Sequence, residues 1–367
     1  MERLPIWIIF EISFMKMYFV ETQPSEEEYF SDAFAEHDLH FVCDLGEVGG
    51  DAEVVCIYFR MQLDAEFLEA HPKLRMVATR SNGYDHIDVA ECRRRGVTVS
   101  IVRGGDSNTV AEHAFALILA LARRLDEVRQ ANKQPHFYYD RLRSFDLKDK
   151  TLGVIGTGRI GQRTMHIAQA FGMKVLAYDP HKAPAPEASP NVHYVEFDEL
   201  LAASHVISLH APLTEETHYL FNKETFAKCR RGVLIINTAR GGLIDTKALI
   251  EAMDEGIVGG AGLDVLEDES VMRREGTKLI ADQIIAKIQS TATPEEARMR
   301  TPGRIIELQS LTENARLISR LNVVFTPHVA FNSVEAVERI NAMTVESIRA
   351  FVAGKPINQV PEVGGEA

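Results

Sequence analysis

A glycine-rich turn set between a buried strand and a helix constrains this chain more than any other feature. Thr151-Leu152-Gly153-Val154-Ile155 reads as the strand, Gly156-Thr157-Gly158-Arg159-Ile160-Gly161 as the turn, and residues 162–171 as the helix. Each glycine does something a side chain would spoil. Gly156 permits the tight turn, Gly158 lets backbone approach a phosphate, and Gly161 lets the helix pack closely on the strand. The helix then points its unpaired N–H groups and positive end at the anion. A second apolar run, 174–178, ends at Asp179, an acid at about the 20-residue spacing that suits a ribose hydroxyl. The expectation is a dinucleotide. An acid at this place repels a 2′-phosphate and so favours NAD over NADP, although Lys182 close by could soften the preference.

Around this motif short apolar runs alternate with helical patterns, which argues parallel sheets in βαβ units. Strands are expected near 17–21, 39–43, 53–58, 75–79 and 97–99, then near 151–155, 174–178, 205–209, 233–237, 258–263 and 322–326. Two long helices look like connectors. One opens on the capping box Thr109-Val110-Ala111-Glu112 and runs to about Arg129. The other opens near Asn332, with Glu335 three residues on, and stops at Gly354 ahead of Pro356. If the second helix carries the chain back, the substrate domain is discontinuous, 15–108 plus 330–367, and the dinucleotide domain is 109–329. Residues 270–320 stand apart as a helical insertion in that domain. Patterns at 278–290 and 303–321 flank a polar segment and read as a surface helical hairpin. The fold class expected is α/β: two Rossmann-like or flavodoxin-like, doubly wound parallel-sheet domains with an interdomain cleft.

Composition narrows the function. With 367 residues the chain can bury two cores. Its net charge of −13 argues against a nucleic-acid partner, because phosphate binding relies on a basic surface. Cys43, Cys56, Cys92 and Cys229 show no metal-ligand spacing, so no metal is expected and they read as reduced thiols of a cytoplasmic protein. The apolar stretch 4–20 is interrupted by Pro5, Glu11 and Lys16, and no membrane span is assigned to it. Residues 1–14 read as a start-site artefact or a flexible extension, with no function assigned.

Three further motifs follow the glycine turn. They are Ile236-Asn237-Thr238-Ala239-Arg240-Gly241-Gly242-Leu243-Ile244-Asp245, Gly262-Leu263-Asp264-Val265-Leu266-Glu267-Asp268-Glu269, and Thr326-Pro327-His328-Val329-Ala330-Phe331. With the turn, in this order, they make the chain resemble the D-isomer-specific 2-hydroxyacid dehydrogenases, nearest the D-lactate dehydrogenase-like branch, from about residue 50 to 355 apart from 270–320. The resemblance implies NAD between two α/β domains and a homodimer formed through the NAD-binding domain. It places Arg159 and Ile160 at the pyrophosphate, His210, Pro212 and Thr217 on the adenine side, Thr238 and Ala239 at the nicotinamide half, and Asp264 at its carboxamide.

Reducing a 2-oxoacid needs a hydride at the carbonyl carbon, a proton at its oxygen and a cation for the carboxylate. Arg240 lies just past an apolar strand, and its planar fork matches a carboxylate and can polarise the ketone. Gly241 and Gly242 beside it read as room for a ligand. His328 is the candidate acid/base, since an imidazole exchanges its proton near neutral pH. Glu269 would accept the other ring N–H, setting the tautomer and raising the ring's pKa. His210 also follows an apolar strand, and a wall role suits it better. In the first domain, the loop Arg80-Ser81-Asn82-Gly83-Tyr84-Asp85-His86 matches the family loop whose N–H groups at Asn82 and Gly83 hold the substrate carboxylate.

One stretch departs from the lactate-like branch. Val102-Arg103-Gly104-Gly105-Asp106 lacks the branch's Tyr and carries Arg103 where a Pro is usual, so the pocket should be reshaped. Arg103 is expected to meet a second acidic group on a larger 2-oxoacid. Two alternatives share the Arg–Glu–His set: a glyoxylate or hydroxypyruvate reductase, and an NAD-sensing corepressor-like binding protein.

Overall fold

The computed structural model describes residues 14–131, 142–181, 192–267, 269, 310 and 312–361. The expectations for the first 13 residues and for a helix at 278–290 lie outside these. The chain divides into two compact units. One holds residues up to Gly105 and those from Val334, and the other holds Asp106–Ser333.

The first unit is a five-stranded parallel sheet: β1 Lys16–Val20, β2 Asp38–Val42, β3 Val54–Ile57, β4 Met76–Thr79 and β5 Thr98–Ser100, in the order β2-β1-β3-β4-β5. Helices α1 Pro24–Ala33, α2 Ala65–Ala70, α3 Val89–Arg94 and α10 Val334–Val352 accompany it. Strand side chains alternate between faces, and both faces are apolar. Met17 and Phe19 of β1 join Val54 and Cys56 of β3, Phe30 of α1, and Val345 and Ile348 of α10 in one core. Tyr18, Val20, Val55 and Ile57 point the other way, into a core with Leu68 and Cys92. α10 ends before Gly354, whose φ of +73° suits a glycine in the left-handed region.

The second unit carries seven parallel strands: β6 Thr151–Ile155, β7 Lys174–Tyr178, β8 Val192–Tyr194, β9 Val206–Leu209, β10 Val233–Asn237, β11 Val258–Leu263 and β12 Val323–Phe325. Their order is β12-β11-β10-β9-β6-β7-β8, so the sequence direction across the sheet reverses between β6 and β9. Helices α4 Ser107–Ala122, α5 Leu125–Ala131, α6 Arg159–Ala170, α7 Phe197–Ala203, α8 Lys223–Lys228 and α9 Thr246–Asp254 flank it. Here too the central strands feed two cores: in β10, Val233 and Ile235 face α8 and α9 residues, while Leu234 and Ile236 face α4.

Four details differ from the sequence reading. β8 is an additional edge strand of three residues, none of them fully buried, which leaves little apolar pattern to detect. The first connector helix starts at Ser107, so Thr109 sits inside the first turn instead of at the cap. That helix also breaks at Arg124, which has φ +51°, before α5 begins. Finally, the end of the expected 303–321 helix is present at 312–318, but it is not merely a surface element: Leu317 is buried in the main core.

Candidate active site

The turn after β6 opens at the point where strand order reverses, which is where sheets of this kind bind ligands. Gly156 has φ +88°, and a Cβ there would stand 2.6 Å from the Ala211 nitrogen. A Cβ on Gly161 would meet the Gly156 carbonyl oxygen at 2.1 Å. Both glycines are therefore required by neighbouring backbone. Gly158 differs, because nothing lies within 4 Å of its Cβ position. That open side, at the N-terminus of α6 with Arg159 and Ile160 next in chain, is what a pyrophosphate needs. Asp179 Oδ2 accepts from Thr157 N at 2.8 Å and from Thr157 Oγ1 at 2.9 Å, so the acid also fixes the turn.

Two loops continue the site along the same sheet edge. After β9, the His210 N–H donates to Ile155 O at 2.7 Å, and the ring Nε2 lies 2.9 Å from Ser208 Oγ. Burial pushes the His210 pKa down to about 4, so the ring is neutral at ordinary pH and cannot serve as a proton donor there. Thr217 Oγ1 donates to Pro212 O at 2.6 Å and shapes the turn that follows. After β10, Asn237 clamps the next loop by accepting from Ala239 N at 3.0 Å and donating to Arg240 O at 2.8 Å. Thr238 Oγ1 is buried with no hydrogen-bond partner among the described residues. An orphaned hydroxyl beside an open glycine cradle fits a dinucleotide that supplies the missing partner.

His328 and Glu269 come together. Nδ1 of His328 lies 2.5 Å from Glu269 Oε1. An ionised carboxylate only accepts, so Nδ1 carries the proton and Nε2 is the nitrogen left for chemistry. His328 has φ +55°, an uncommon backbone state for a residue with a side chain. Asp264 maintains it. This fully buried acid accepts from Val329 N and Ala330 N at 2.9 Å each and from Thr326 Oγ1 at 2.5 Å, while its carbonyl accepts from His328 N at 2.7 Å. The sequence reading gave Asp264 a carboxamide contact only. The structure gives its carboxylate a different use, bracing the loop of His328.

Arg240 is half-buried, and its Nη1 donates to Ala239 O at 2.8 Å. The reading of Gly241 as room for a ligand is corrected here. A Cβ on Gly241 would stand 2.0 Å from Leu266 O and 2.4 Å from Glu267 N. The glycine lets the arginine loop press against the backbone that leads to Glu269. Asn237, Thr157 and Asp264 as braces went unnoticed because their partners are distant in sequence or are backbone N–H groups, which leave no spacing signal.

In the first unit, Arg80 fixes the start of the 80–87 loop. Its buried guanidinium donates to Glu26 Oε1 at 3.2 Å, to Val20 O at 2.6 Å and to Glu21 O at 3.0 Å, and it lies 3.9 Å from the Tyr58 ring centre. Ser81 Oγ donates to Gly83 O at 2.7 Å. The N–H groups of Asn82 and Gly83 find no acceptor among the described residues. Arg103 Nη2 donates to Gln359 O at 2.8 Å, fastening the C-terminal segment beside β5. All four cysteines are free, and burial pushes the Cys56 and Cys229 thiols up to about 12. Among the described residues no cluster suits a metal ion, and no helix is long and apolar enough to cross a membrane.

A glycine cradle for a dinucleotide, with an imidazole–carboxylate pair on the same sheet edge, defines a hydride-transferring class of α/β protein. Comparison with known proteins names the family. Residues 115–330 match the D-isomer specific 2-hydroxyacid dehydrogenase, NAD binding domain. A 2-hydroxyacid dehydrogenase homolog of Haemophilus influenzae is 36% identical over 307 residues, 83% of this chain and 84% of that one. A hydroxypyruvate reductase of Thermotoga maritima is 38% identical over 265 residues, 72% and 86% of the two chains. The solved D-lactate dehydrogenase from Aquifex aeolicus, complexed with NAD and lactic acid, superposes with a TM-score of 0.78 at 33% identity, covering 95% of this chain and 100% of that one. The chain belongs to the D-isomer specific 2-hydroxyacid dehydrogenases, NAD-dependent oxidoreductases.

Proposed function

We propose that this chain interconverts a 2-oxoacid and a D-2-hydroxyacid, with His328 as the acid/base, Glu269 as its partner and Arg240 on the substrate carboxylate. The observation that carries this reading is the 2.5 Å contact between His328 Nδ1 and Glu269 Oε1. Bound NADH supplies the hydride to the carbonyl carbon. His328 gives the proton at Nε2 to the carbonyl oxygen, and Glu269 stabilises the imidazolium before that transfer. Arg240 holds the carboxylate through its fork and draws electron density from the ketone. In the oxidative direction the same ring takes the hydroxyl proton.

On the cofactor side, Gly156, Gly158, Gly161, Arg159 and Ile160 hold the pyrophosphate, and Asp179 the adenosine ribose. His210, Pro212 and Thr217 line the adenine, while Thr238, Ala239 and Asp264 take the nicotinamide half. The unpaired N–H groups support carboxylate binding at Asn82 and Gly83. The exposed Leu125, Phe145 and Phe171 support a homodimer formed through the NAD-binding unit of a cytoplasmic enzyme, which sedimentation would test. The substrate domain is proposed as 15–108 plus 330–367, and the NAD domain as 109–329.

Hydroxypyruvate or glyoxylate is a second reading of the substrate, favoured by the name of the Thermotoga relative and by the missing Tyr before α4. NADH absorbance followed against pyruvate, glyoxylate, hydroxypyruvate, phenylpyruvate and oxaloacetate separates them. Turnover of at least one, abolished in His328→Asn, is the expected result. Tight NADH binding with no turnover on any 2-oxoacid contradicts the enzyme reading and favours a corepressor-like binding protein.

A further inference from the structure

The pair of His328 and Glu269 works only if Glu269 is held still, and Glu269 follows a loop without strand pairing of its own. We propose that Tyr219 is a positioning residue that ties the arginine loop to the segment carrying Glu269. The proposal rests on the proposed role of Glu269 and goes beyond it.

Four observations carry it. Tyr219 adopts φ +51°, a left-handed backbone that is unfavourable in a residue with a side chain and persists only where its surroundings demand it. Its N–H donates to Gly242 O at 2.9 Å, and the bond from Phe221 N to Leu243 O, also 2.9 Å, continues the pairing along the arginine loop. Its hydroxyl donates to Glu267 Oε1, two residues before Glu269. One residue thus grips both catalytic loops, by backbone on one side and by side chain on the other.

The Glu267 end is independently confined. Gly241 is packed so closely on Leu266 and Glu267 that no Cβ fits between them. Asn314, fully buried on the helical segment 312–318, donates to Glu267 O at 2.8 Å. Residue 267 is therefore held on three sides: its carboxylate by Tyr219, its nitrogen side by the packed Gly241, and its carbonyl by Asn314. Glu269 lies two residues on from this anchored point, and the phenol is the member of the clamp that holds the Glu267 carboxylate.

Tyr219→Phe removes the hydroxyl and keeps the ring, and Glu267→Gln keeps an acceptor. Loosening Glu269 lowers its support for the imidazolium, so the alkaline limb of the reduction kcat/KM profile should move toward acid. The expected shift in Tyr219→Phe is on the order of half a pH unit or more, with kcat down several-fold and NADH affinity, read by fluorescence, unchanged. Glu267→Ala should act alike, the double variant should add little to either, and Glu267→Gln should restore most of the wild-type limb. Glu269→Gln in the parent chain is the control. If it moves the limb and Tyr219→Phe does not, the tie is wrong while the role of Glu269 stands. If Glu269→Gln itself leaves the limb in place, the role of Glu269 falls and the tie with it. Strictly additive effects of Tyr219→Phe and Glu267→Ala would also overturn the tie.

Discussion

Two loops on one edge of the same sheet each present a histidine beyond an apolar strand: His210 directly after β9, and His328 three residues past the end of β12. By residue type and local pattern they are close to interchangeable. Their surroundings are opposite. His210 meets a hydroxyl, Ser208 Oγ, and burial drives its pKa down to about 4. His328 meets a carboxylate, on a loop held in a left-handed backbone by a fully buried acid. The proton-carrying role proposed for His328 therefore falls on the loop with a charged partner and a dedicated brace. A histidine's chemistry is decided by what faces its two nitrogens, and strand position alone does not reveal that.

The sharpest way to break this contrast is His328→Asn. It should lower kcat by roughly 10²–10⁴-fold, the range for loss of a general acid/base, with NADH affinity retained in a fluorescence titration. His210→Asn should cost less than about tenfold at neutral pH, since a ring that is neutral there has no imidazolium proton to transfer. Equal losses in the two variants would erase the distinction.

Asp264→Asn should come next. The acid accepts two backbone N–H groups and the Thr326 hydroxyl, and bonds to a charged acceptor are worth about 1.5–3 kcal/mol each. An amide replaces one acceptor by a donor, so unfolding free energy should drop by about 2–4 kcal/mol in urea titrations and kcat should fall. A variant of full stability and activity would show that His328 keeps its strained backbone without the brace.

The pH dependence of stability separates the loops more finely. His210 has a folded pKa of about 4, below the ordinary value of about 6.5, so the unfolded chain takes up that proton first. Its effect is absent above about 6.5, and stability is lost as pH falls from there toward 4, by no more than roughly 3 kcal/mol. His210→Asn should flatten that part of the curve in denaturant titrations at several pH values. The smallest effect belongs to Ser208→Ala, which removes the partner of a neutral ring and should cost about 1 kcal/mol with little change in kcat.

Much of the fold was legible because strands buried on both faces leave near-continuous apolar runs, as β1, β3, β4, β6, β9 and β10 do. β8 did not, since its three residues lie at a sheet edge and are not fully buried. Of the expected site residues, His328 and Glu269 are brought into contact, and the sequence offered them as a residue type past an apolar strand and an acid at a family spacing. The site was illegible where a residue serves as support. The bracing role of Asp264 emerged only with its partners at 326, 329 and 330, and Gly241 looked like ligand space until Leu266 filled it. Asn314 had no signal at all, because its value lies in one carbonyl 47 residues away. Supports of this kind are defined by long-range partners, and no local pattern encodes them.

Nitrogen-15 NMR of histidine side chains, assigned with His210→Asn and His328→Asn, tests the central contrast most directly. The account predicts that His328 keeps its proton on Nδ1, toward Glu269, across about pH 5–8, while His210 stays neutral over the same range. A His328 ring with bare Nδ1, or a His210 ring that gains its proton near neutral pH, would contradict it.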